Sequence, residues 1–447
     1  SDLYLDFLYK TNMKKKKYWI LLIVIILIIL VTSIKLNTFN SSDILFKKLP
    51  IKVQVLLRYI KKNYKYGNNF THIFNNFFND YNVKFIPETQ FVDVHFKTIK
   101  IKFKNDFEQI YQSRTDSVRN FFYTYFIEIL DNDVLVTDYI GNFYIINYSD
   151  LKSDKKVVRP KIIKSNFSPY KTLDTFIYKN KIFVSYSNKL KNCYNFNIDY
   201  AEFNLKELNF KKFYQSKECS IQNYYQPNGG KMQFYNYNEA DGLLFTIGDN
   251  NDVPKLKDSI IGKILFIDFE KKNEIIFSKG HRNMQGLFSD GEIILSTEHG
   301  PRGGDEINKI NPNNNYGWPF ASYGEPYGSK IYHSLNKFHD KPKYYKNHSK
   351  KNFAEPIFSF AKSIGISEII KLPNNFSDFW KNNFLLSSLW EQSLFRIKFG
   401  ENFNKIMFYE KIFIGQRIRD IKYHYGLNGI ILALEEKGEL GIITKKK

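Results

Sequence analysis

The sequence of 447 residues contains only two cysteines, Cys193 and Cys219. Their spacing matches no metal site, and no Cys-x-x-Cys-His motif for covalent haem attachment occurs. A cysteine-bound zinc and a c-type haem are therefore excluded. A disulfide between the two cysteines would close a loop of about 25 residues and stabilise the fold by about 3 kcal/mol. Two separate buried thiols are the alternative.

Alanine is also scarce, whereas the chain has 32 tyrosines, 42 phenylalanines and abundant isoleucine and valine. Aromatic and β-branched side chains fit strands better than helices, so we expect an all-β fold. A hydrophobic content of 43% is enough to fill a sizeable core in one large domain.

Sequence signals for nucleic-acid binding are missing as well. The formal net charge of +21 would suit an anionic partner. The lysines are, however, scattered among asparagines, and no recognition helix, zinc-finger spacing or RNA-binding signature accompanies them. We interpret the charge as a solvated basic surface and expect no nucleic-acid partner.

Charge is absent from residues 18–34, an apolar run that follows four lysines at 14–17. A run of this length can form a short transmembrane helix, and the preceding lysines predict a cytoplasmic N-terminus with the rest of the chain outside. No small-x-small cleavage site follows the run, so we expect an uncleaved, single-pass membrane anchor. The body of the protein is then expected in the periplasm or outside the cell.

Composition divides the chain into four segments. Residues 1–12 precede Met13, the expected natural start, and are interpreted as upstream read-through. Residues 13–41 contain the lysine cluster and the transmembrane anchor. Residues 42–83 are expected to form a juxtamembrane spacer, and residues 84–447 the main domain.

One short pattern recurs in six copies along the main domain. Each copy has a turn-forming Asn/Asp/Gly cluster, three or four apolar residues and then a small residue. The copies lie at 131–138, 179–186, 240–247, 290–297, 381–388 and 427–434. Repeats of this spacing, with room for several short strands each, predict a β-propeller with six blades. A pair of β-sandwiches is the structural alternative.

A compound motif surrounds the fourth copy of the repeat. It reads GHRNMQGL at 280–287, then a strand, then TEHGPRGGDEIN at 297–308 and NYGWP at 315–319. This motif resembles the glucose/sorbosone dehydrogenase family of sugar dehydrogenases that depend on pyrroloquinoline quinone (PQQ), which are six-bladed propellers. The resemblance extends over residues 84–446 and includes SIGIS at 363–367, SLWEQSLFRI at 388–397 and GQRIRDI at 415–421.

The resemblance implies a site for PQQ and calcium. Guanidinium groups suit a multiply charged quinone because they offer paired hydrogen-bond donors to carboxylates. The residues that match the family's cofactor contacts are Arg282, Asn283, Gln285, Arg417 and Arg419. By position, the backbone carbonyls of Gly300 and Pro301 match those that hold calcium, a hard cation that accepts carbonyl ligands.

The sequence departs from the family where the catalytic base is expected. In the family a histidine takes the proton of the sugar hydroxyl, and Pro227 occupies that position here. A proline cannot accept a proton, and no histidine lies between His95 and His281. Asp249 and His299 are the candidate substitute bases. An aspartate would need a raised pKa to act near neutral pH.

A second departure is Trp390, which stands where the family commonly has a lysine or arginine facing the cofactor. An indole cannot pair with a carboxylate, although it can stack on a quinone. Two functions therefore remain open. The first is an anchored, PQQ- and calcium-dependent aldose dehydrogenase that transfers hydride from sugar C1 to PQQ and needs an external electron acceptor. The second is a catalytically inactive propeller that binds a sugar, a glycan or a protein at the cell surface.

Overall fold

The computed structural model describes residue 89 and the ranges 92–104, 123–220, 228–250, 259–326 and 344–446. The expected membrane anchor, the spacer at 42–83 and Pro227 lie outside these residues. In the described ranges, no helix is long and apolar enough to cross a membrane.

The described chain begins with a strand whose partners come from the C-terminal end. This strand is β1 (Val94–Ile101). The first two blades then follow in chain order. Blade 1 contains β2 (Tyr125–Leu130), β3 (Asp133–Asp138), β4 (Phe143–Ile146), a short helix α1 (Tyr148–Lys152) and β6 (Lys161–Ser165). The two-residue strand β5 (Val157–Val158), between α1 and β6 in the chain, pairs with β1 instead. Blade 2 contains β7 (Lys171–Tyr178), β8 (Lys181–Lys189), β9 (Tyr194–Glu202) and β11 (Lys211–Ser220). The two-residue strand β10 (Glu207–Leu208), between β9 and β11 in the chain, extends the sheet of blade 1 by pairing with β6.

Blades 3, 4 and 5 have four antiparallel strands each, and blade 6 has five strands. Blade 3 contains β12 (Gly229–Tyr237), β13 (Ala240–Ile247), β14 (Lys263–Asp268) and β15 (Glu274–Lys279). Blade 4 contains β16 (Met284–Ser289), β17 (Ile294–Glu298), β18 (Asp305–Lys309) and β19 (Phe358–Phe360), with a 3₁₀ turn at Ser349–Lys351. Blade 5 contains β20 (Ile366–Lys371), a 3₁₀ turn at Asp378–Trp380, β21 (Phe384–Ser388), β22 (Ser393–Phe399) and β23 (Ile406–Phe413). Blade 6 contains β24 (Ile418–His424), β25 (Gly429–Leu434), β26 (Glu439–Lys445), β1 and, at the outer edge, β5 parallel to β1.

Six sheets in this order confirm the predicted all-β, six-bladed propeller and exclude the β-sandwich alternative. The first strands β2, β7, β12, β16, β20 and β24 contact one another in a closed ring around the centre. The ring is closed because β1 pairs antiparallel with β26, with Val94 opposite Lys445 and Ile99 opposite Leu440. The earliest and latest strands of the propeller therefore share one blade.

The repeated sequence pattern is the second strand of every blade. A residue with a positive φ lies within one position of the start of each copy, at Asp131, Lys179, Glu239, Gly291, Asn382 and Asn428. Asp, Asn and Gly tolerate this conformation, which a tight turn between the first two strands requires. The apolar run that follows is continuous rather than alternating because neighbouring blades cover both faces of the strand. All six residues of β25, for example, are buried.

Apolar side chains between the blades form the core. Leu385 and Leu394 of blade 5 pack with Ile430 and Leu432 of blade 6, and all four are essentially inaccessible to solvent. Burying each such side chain stabilises the fold by about 1.5–3 kcal/mol. This packing fixes the relative positions of the loops at the ends of neighbouring blades.

The disulfide that the sequence allowed is present. Cys193 and Cys219 are bonded, with their Cα atoms 5.7 Å apart. Cys193 lies just before β9 and Cys219 near the end of β11. The bridge therefore ties together two loops at the end of blade 2 where the first strands of all blades begin.

Candidate functional site

The predicted site residues lie at one end of the propeller, where the first strands begin. Arg282 and Asn283 directly precede β16, and Arg417 directly precedes β24. Because strands alternate in direction, the loops between second and third strands lie at this same end. His299 follows β17, the second strand of blade 4. Sequence-distant residues thus meet around the mouth of the central channel.

Arg417 and Arg419 are joined by one carboxylate, that of Glu435. The Nε of Arg417 donates to Glu435 Oε2 at 3.2 Å, and the Nε of Arg419 donates to Glu435 Oε1 at 2.6 Å. Glu435 is fully buried. Its burial acts to raise its pKa, but the charges of Arg419 and Arg417 outweigh burial and hold that pKa below the ordinary value. Glu435 is therefore an ionised anchor for both arginines.

A chain of hydrogen bonds connects this arginine pair with blade 4. Arg419 Nη1 donates to Gln285 Oε1 at 2.9 Å, and Gln285 Nε2 donates to Asn283 Oδ1 at 2.7 Å. The backbone N–H of His299 donates to the carbonyl of Asn283 at 2.9 Å. Four of the five predicted cofactor contacts are thus linked directly or through Glu435.

The fifth, Arg282, reaches the loop that follows β17. Its Nη1 donates to the carbonyl oxygens of His299 and Gly300, both at 2.9 Å. Its guanidinium carbon lies 5.4 Å from the ring centre of Trp318, a cation–π distance. Trp318 Nε1 donates in turn to Asp249 Oδ2 at 2.9 Å. The candidate base Asp249 is buried and is hydrogen-bonded to the indole beneath Arg282.

Asp305 fixes the loop that carries Gly300 and Pro301. Its Oδ1 accepts from the N–H of Gly300 at 3.1 Å, and its Oδ2 accepts from the N–H groups of Ile364 and Gly365 at 2.9 and 2.8 Å. A buried carboxylate with several backbone donors cross-links two loops strongly. This contact explains why the SIGIS segment accompanies the compound motif in the sequence.

His299 lies within the electric field of all three arginines. Burial lowers the pKa of its imidazole to about 4, and Arg282, Arg419 and Arg417 act in the same direction against the opposing charge of Asp305. His299 is therefore neutral at neutral pH. The three arginines that the sequence predicted do gather at one place, which we call the arginine site.

A second set of carboxylates lies behind Arg282. Glu298 accepts from the backbone N–H of Arg282 and lies 3.0 Å from His281 Nδ1. Burial raises the pKa of Glu306 well above its ordinary value, and the nearby charge of Glu298 adds to this effect. A small pocket is lined by Arg282, Glu298, His299, Gly300, Glu306 and Trp318. Within the described ranges, no group of three or more His, Cys, Asp or Glu side chains is arranged to hold a metal.

Trp390 lies at the rim of the same face. Its backbone N–H donates to the carbonyl of Ile364 at 3.0 Å, and Arg417 Nη1 is 3.5 Å from the carbonyl of the preceding Leu389. The indole is 43% exposed and accessible to a ligand. Pro227 lies outside the described residues. Its neighbour Asn228 is bonded through its carbonyl to Gly248 N at 3.1 Å, next to Asp249.

Sequence reasoning missed Glu435. It follows the sixth copy of the repeat directly, just as Glu298 follows the fourth copy directly. Both glutamates bind residues of the arginine site, Glu298 through the backbone of Arg282 and Glu435 through two side chains. Alignment of the six copies would have shown this shared position.

The glucose/sorbosone dehydrogenase family model matches residues 124–444. The chain is 29% identical over 251 residues to the aldose sugar dehydrogenase YliI of Escherichia coli, covering 51% of this chain and 62% of that protein. It is 29% identical over 225 residues to the uncharacterised protein slr1608 of Synechocystis, covering 44% of this chain and 52% of that protein. The chain thus spans about half to three fifths of the length of these curated relatives.

Solved structures share the fold. The apo form of the soluble aldose sugar dehydrogenase of Escherichia coli has a TM-score of 0.59 at 19% identity, covering 79% of this chain and 100% of that one. The PQQ-bound aldose sugar dehydrogenase of Streptomyces coelicolor has a TM-score of 0.53 at 16% identity, covering 79% and 99%. These likenesses show a shared fold, and the family match over most of the propeller assigns the chain: it belongs to the glucose/sorbosone dehydrogenase family.

Proposed function

We propose that this protein is a PQQ-dependent sugar dehydrogenase that oxidises an aldose, with PQQ held at the arginine site. The convergence of Arg282, Arg417 and Arg419 around His299 carries the proposal. These residues come from blades 4 and 6, so only the folded propeller brings them together. The E. coli relative named as an aldose sugar dehydrogenase and the PQQ-bound Streptomyces structure support the same reaction class.

The side chains at the arginine site fit a planar polyanion. Guanidinium groups pair with carboxylates through parallel N–H donors, and three of them would offset the charge of three carboxylates. Asn283 and Gln285 add amide groups beside them. Bound PQQ would supply an electrophilic quinone that accepts hydride. The arginines would then hold that quinone in a fixed orientation at the channel mouth.

The residues of the site fit calcium less completely than they fit PQQ. The Gly300 carbonyl accepts a hydrogen bond from Arg282, but a carbonyl oxygen has a second lone pair for a metal. Backbone carbonyls are suitable calcium ligands, so we assign the ion to Gly300 and Pro301. There it would polarise the quinone as a Lewis acid. With two carbonyls as its proposed protein ligands, calcium should bind weakly before PQQ arrives.

We assign proton acceptance to His299 rather than to Asp249. His299 is neutral at pH 7 and lies among the three arginines, whereas the Asp249 carboxylate is buried and bonded to Trp318. A base with a pKa near 4 takes up a proton only weakly at pH 7. Turnover should therefore be slow compared with that of an enzyme whose base has a pKa near neutrality. An external electron acceptor is required to reoxidise the cofactor.

We further propose that the propeller operates outside the cytoplasm, tethered by the apolar run at 18–34. The bond between Cys193 and Cys219 supports this location, because disulfides persist in the periplasm and extracellular space and are rare in the cytosol. The lysines at 14–17 favour the same orientation.

The second candidate is a catalytically inactive propeller that binds a sugar or glycan. The exposed indole of Trp390 favours it, because aromatic rings stack on sugars and this ring replaces a cationic residue of the family. Pro227 at the position of the family base points the same way. In this case the arginine site would be the remnant of a cofactor pocket.

Reconstitution of the purified full chain with PQQ and calcium separates the two candidates. A dye-reduction assay on a panel of aldoses should show sugar-dependent turnover. Tight uptake of PQQ without dye reduction would favour the inactive binding protein. Absence of PQQ uptake would remove the cofactor assignment altogether.

A further inference from the structure

The shared carboxylate of Glu435 holds both blade 6 arginines by the same edge. Each guanidinium donates its Nε–H to one oxygen of Glu435. The carboxylate is fully buried, whereas the side chains of Arg417 and Arg419 keep 19% and 16% of their surface exposed. The arrangement therefore fixes the inner edge of each guanidinium and leaves part of each one facing outward.

Glu435 is itself held on several sides. Thr124 Oγ1 donates to Glu435 Oε1 at 3.0 Å, and the N–H of Tyr123 donates to the Glu435 carbonyl at 2.8 Å. The N–H of Glu435 donates to the carbonyl of Arg417 at 2.9 Å. The two backbone bonds fix the position of residue 435 between the start of blade 1 and blade 6, and the bond from Thr124 orients its carboxylate.

The two arginines need such an anchor because they repel each other. Arg417 and Arg419 are two residues apart along one extended segment, which places their side chains on the same side. Burial lowers the pKa of Arg417 and the charge of Arg419 adds to that effect, while Glu435 opposes both. Without the carboxylate, each guanidinium would lose the acceptor of its Nε–H and the charge that opposes their mutual repulsion.

We propose that Glu435 is a positioning residue that orients Arg417 and Arg419 for a ligand with several carboxylates. The inference rests on the proposed function, in which that ligand is PQQ. If Glu435 acted only through its charge, its effect on the affinity for PQQ would be opposite to that of a residue that orients the arginines. A buried anion next to an anion site weakens binding by repulsion, so its neutralisation would tighten binding if orientation did not matter.

Titration of full-length Glu435→Gln with PQQ, followed by absorbance, distinguishes these cases. The glutamine offers one acceptor oxygen and one NH2 group, so one guanidinium loses its acceptor and meets a donor instead. We expect the Kd for PQQ to rise at least about tenfold, as for loss of a hydrogen bond to a charged group. Glu435→Asp keeps the charge on a shorter side chain and should recover part of the affinity.

Glu410 provides a matched control. It forms a buried pair with Arg396, whose Nε donates to Glu410 Oε2 at 2.7 Å, between β22 and β23 of blade 5. Glu410→Gln removes the same charge from the same kind of pair away from the arginine site. It should lower the stability of the fold and leave the Kd for PQQ unchanged. Urea unfolding curves of each variant establish the folded fraction.

An unchanged or lower Kd in folded Glu435→Gln would overturn the positioning role. If the wild-type chain takes up no PQQ, the proposed function fails, and arginine side-chain NMR decides the positioning role by itself. The chain has only nine arginines, so a spectrum labelled on arginine is simple. The Nε–H signals of Arg417 and Arg419 should be protected from exchange in the wild type and in Glu410→Gln, which loses only the protection of Arg396. In Glu435→Gln at least one of these two signals should lose its protection. Full protection of both signals in Glu435→Gln would also overturn the proposal.

Discussion

Two charged clusters share strand β24, and they differ in composition. The arginine site has three guanidiniums and Glu435, and part of its surface is open to solvent. The second cluster, which we call the channel network, has twice as many carboxylates as cations, and all of its members except Lys422 are buried. Its members are Lys231, Lys422, Glu128, Asp174, Glu368 and Asp420.

The channel network spans the centre of the ring. Lys231 Nζ lies 2.8 Å from Asp174 Oδ1 and 2.5 Å from Glu368 Oε2, which joins blades 2, 3 and 5. Blades 3 and 5 are not neighbours, so this contact crosses the channel. Lys422 Nζ pairs with Glu128 Oε1 at 2.8 Å. Under the proposed function the two clusters would have different tasks: the network ties blades together across the channel, and the arginine site would bind the anionic cofactor.

The prediction with the largest expected effect tests whether the channel mouth is a catalytic site that lacks only the family's histidine base. Pro227→His restores the residue type of the family at the expected base position. General-base catalysis contributes about 10²- to 10⁴-fold, so we expect sugar-dependent dye reduction to rise by that order. Steady-state kinetics with PQQ and calcium measure it. No gain in a variant that still binds PQQ would contradict the proposed arrangement.

The prediction with the second-largest effect tests whether the channel network stabilises the fold without taking part in PQQ binding. Lys231→Met leaves Asp174 and Glu368 buried without their lysine, and loss of one partner from a buried ion pair costs about 3–5 kcal/mol. Urea unfolding should show this loss, while the folded protein binds PQQ as the wild type does. A parallel loss of PQQ affinity would show that the two clusters are not separate in function.

A prediction with a smaller effect tests whether the arginine site binds the anionic cofactor. Arg417→Met removes one guanidinium from the site and should weaken PQQ binding by about 1.5–3 kcal/mol, or about 10- to 100-fold. Isothermal titration at two salt concentrations measures the affinity and its ionic part. Unaltered affinity would contradict the assigned role of Arg417. Lys422→Met is the corresponding channel variant and should leave the affinity unchanged.

The smallest effect concerns pH. Burial raises the pKa of Glu128 to about 7, although the charge of Lys422 opposes this. An acid whose pKa is higher in the folded state stabilises the fold fully below its unfolded pKa, and this contribution is lost as the pH rises to about 7. Glu128→Gln should therefore flatten the fall in stability between pH 4.5 and 7, by at most about 1.4 kcal/mol per pH unit. If the free energy of unfolding fell equally steeply with pH in the wild type and in Glu128→Gln, this prediction would be contradicted.

The sequence predicted the blades well because each second strand has its own local signal. A turn with a positive φ at Asn382 or Asn428, followed by a continuous apolar run, indicates a strand that is buried on both faces. This signal lies within one short stretch of sequence and does not depend on residues far away in the chain. The arginines were predicted through the resemblance of short motifs. The membrane anchor and the role of Pro227 stay predictions because they lie outside the described residues.

The channel network was not predictable in this way. Asp174, Lys231 and Glu368 are far apart in the chain, and each alone resembles a solvated charge on a strand. Their burial follows only when six first strands close into a ring. Hydrogen bonds such as that between Trp318 and Asp249 are equally non-local, so the bonding partner of that candidate base could not be known from its neighbours in sequence.

Pairing of β1 with β26 has a consequence for biosynthesis. Ribosomes deliver β1 before the blades, but its long antiparallel partner β26 becomes available only after residues 102–417 and most of blade 6 have been made. Until then the edge of β1 that pairs with β26 is exposed to other nascent chains, because β5 pairs with only two residues at its other edge. Lys97 and Lys100 interrupt its apolar pattern, and charged residues on a waiting strand discourage such pairing. Replacing these lysines with apolar residues should therefore increase aggregation during translation more than it alters the finished protein.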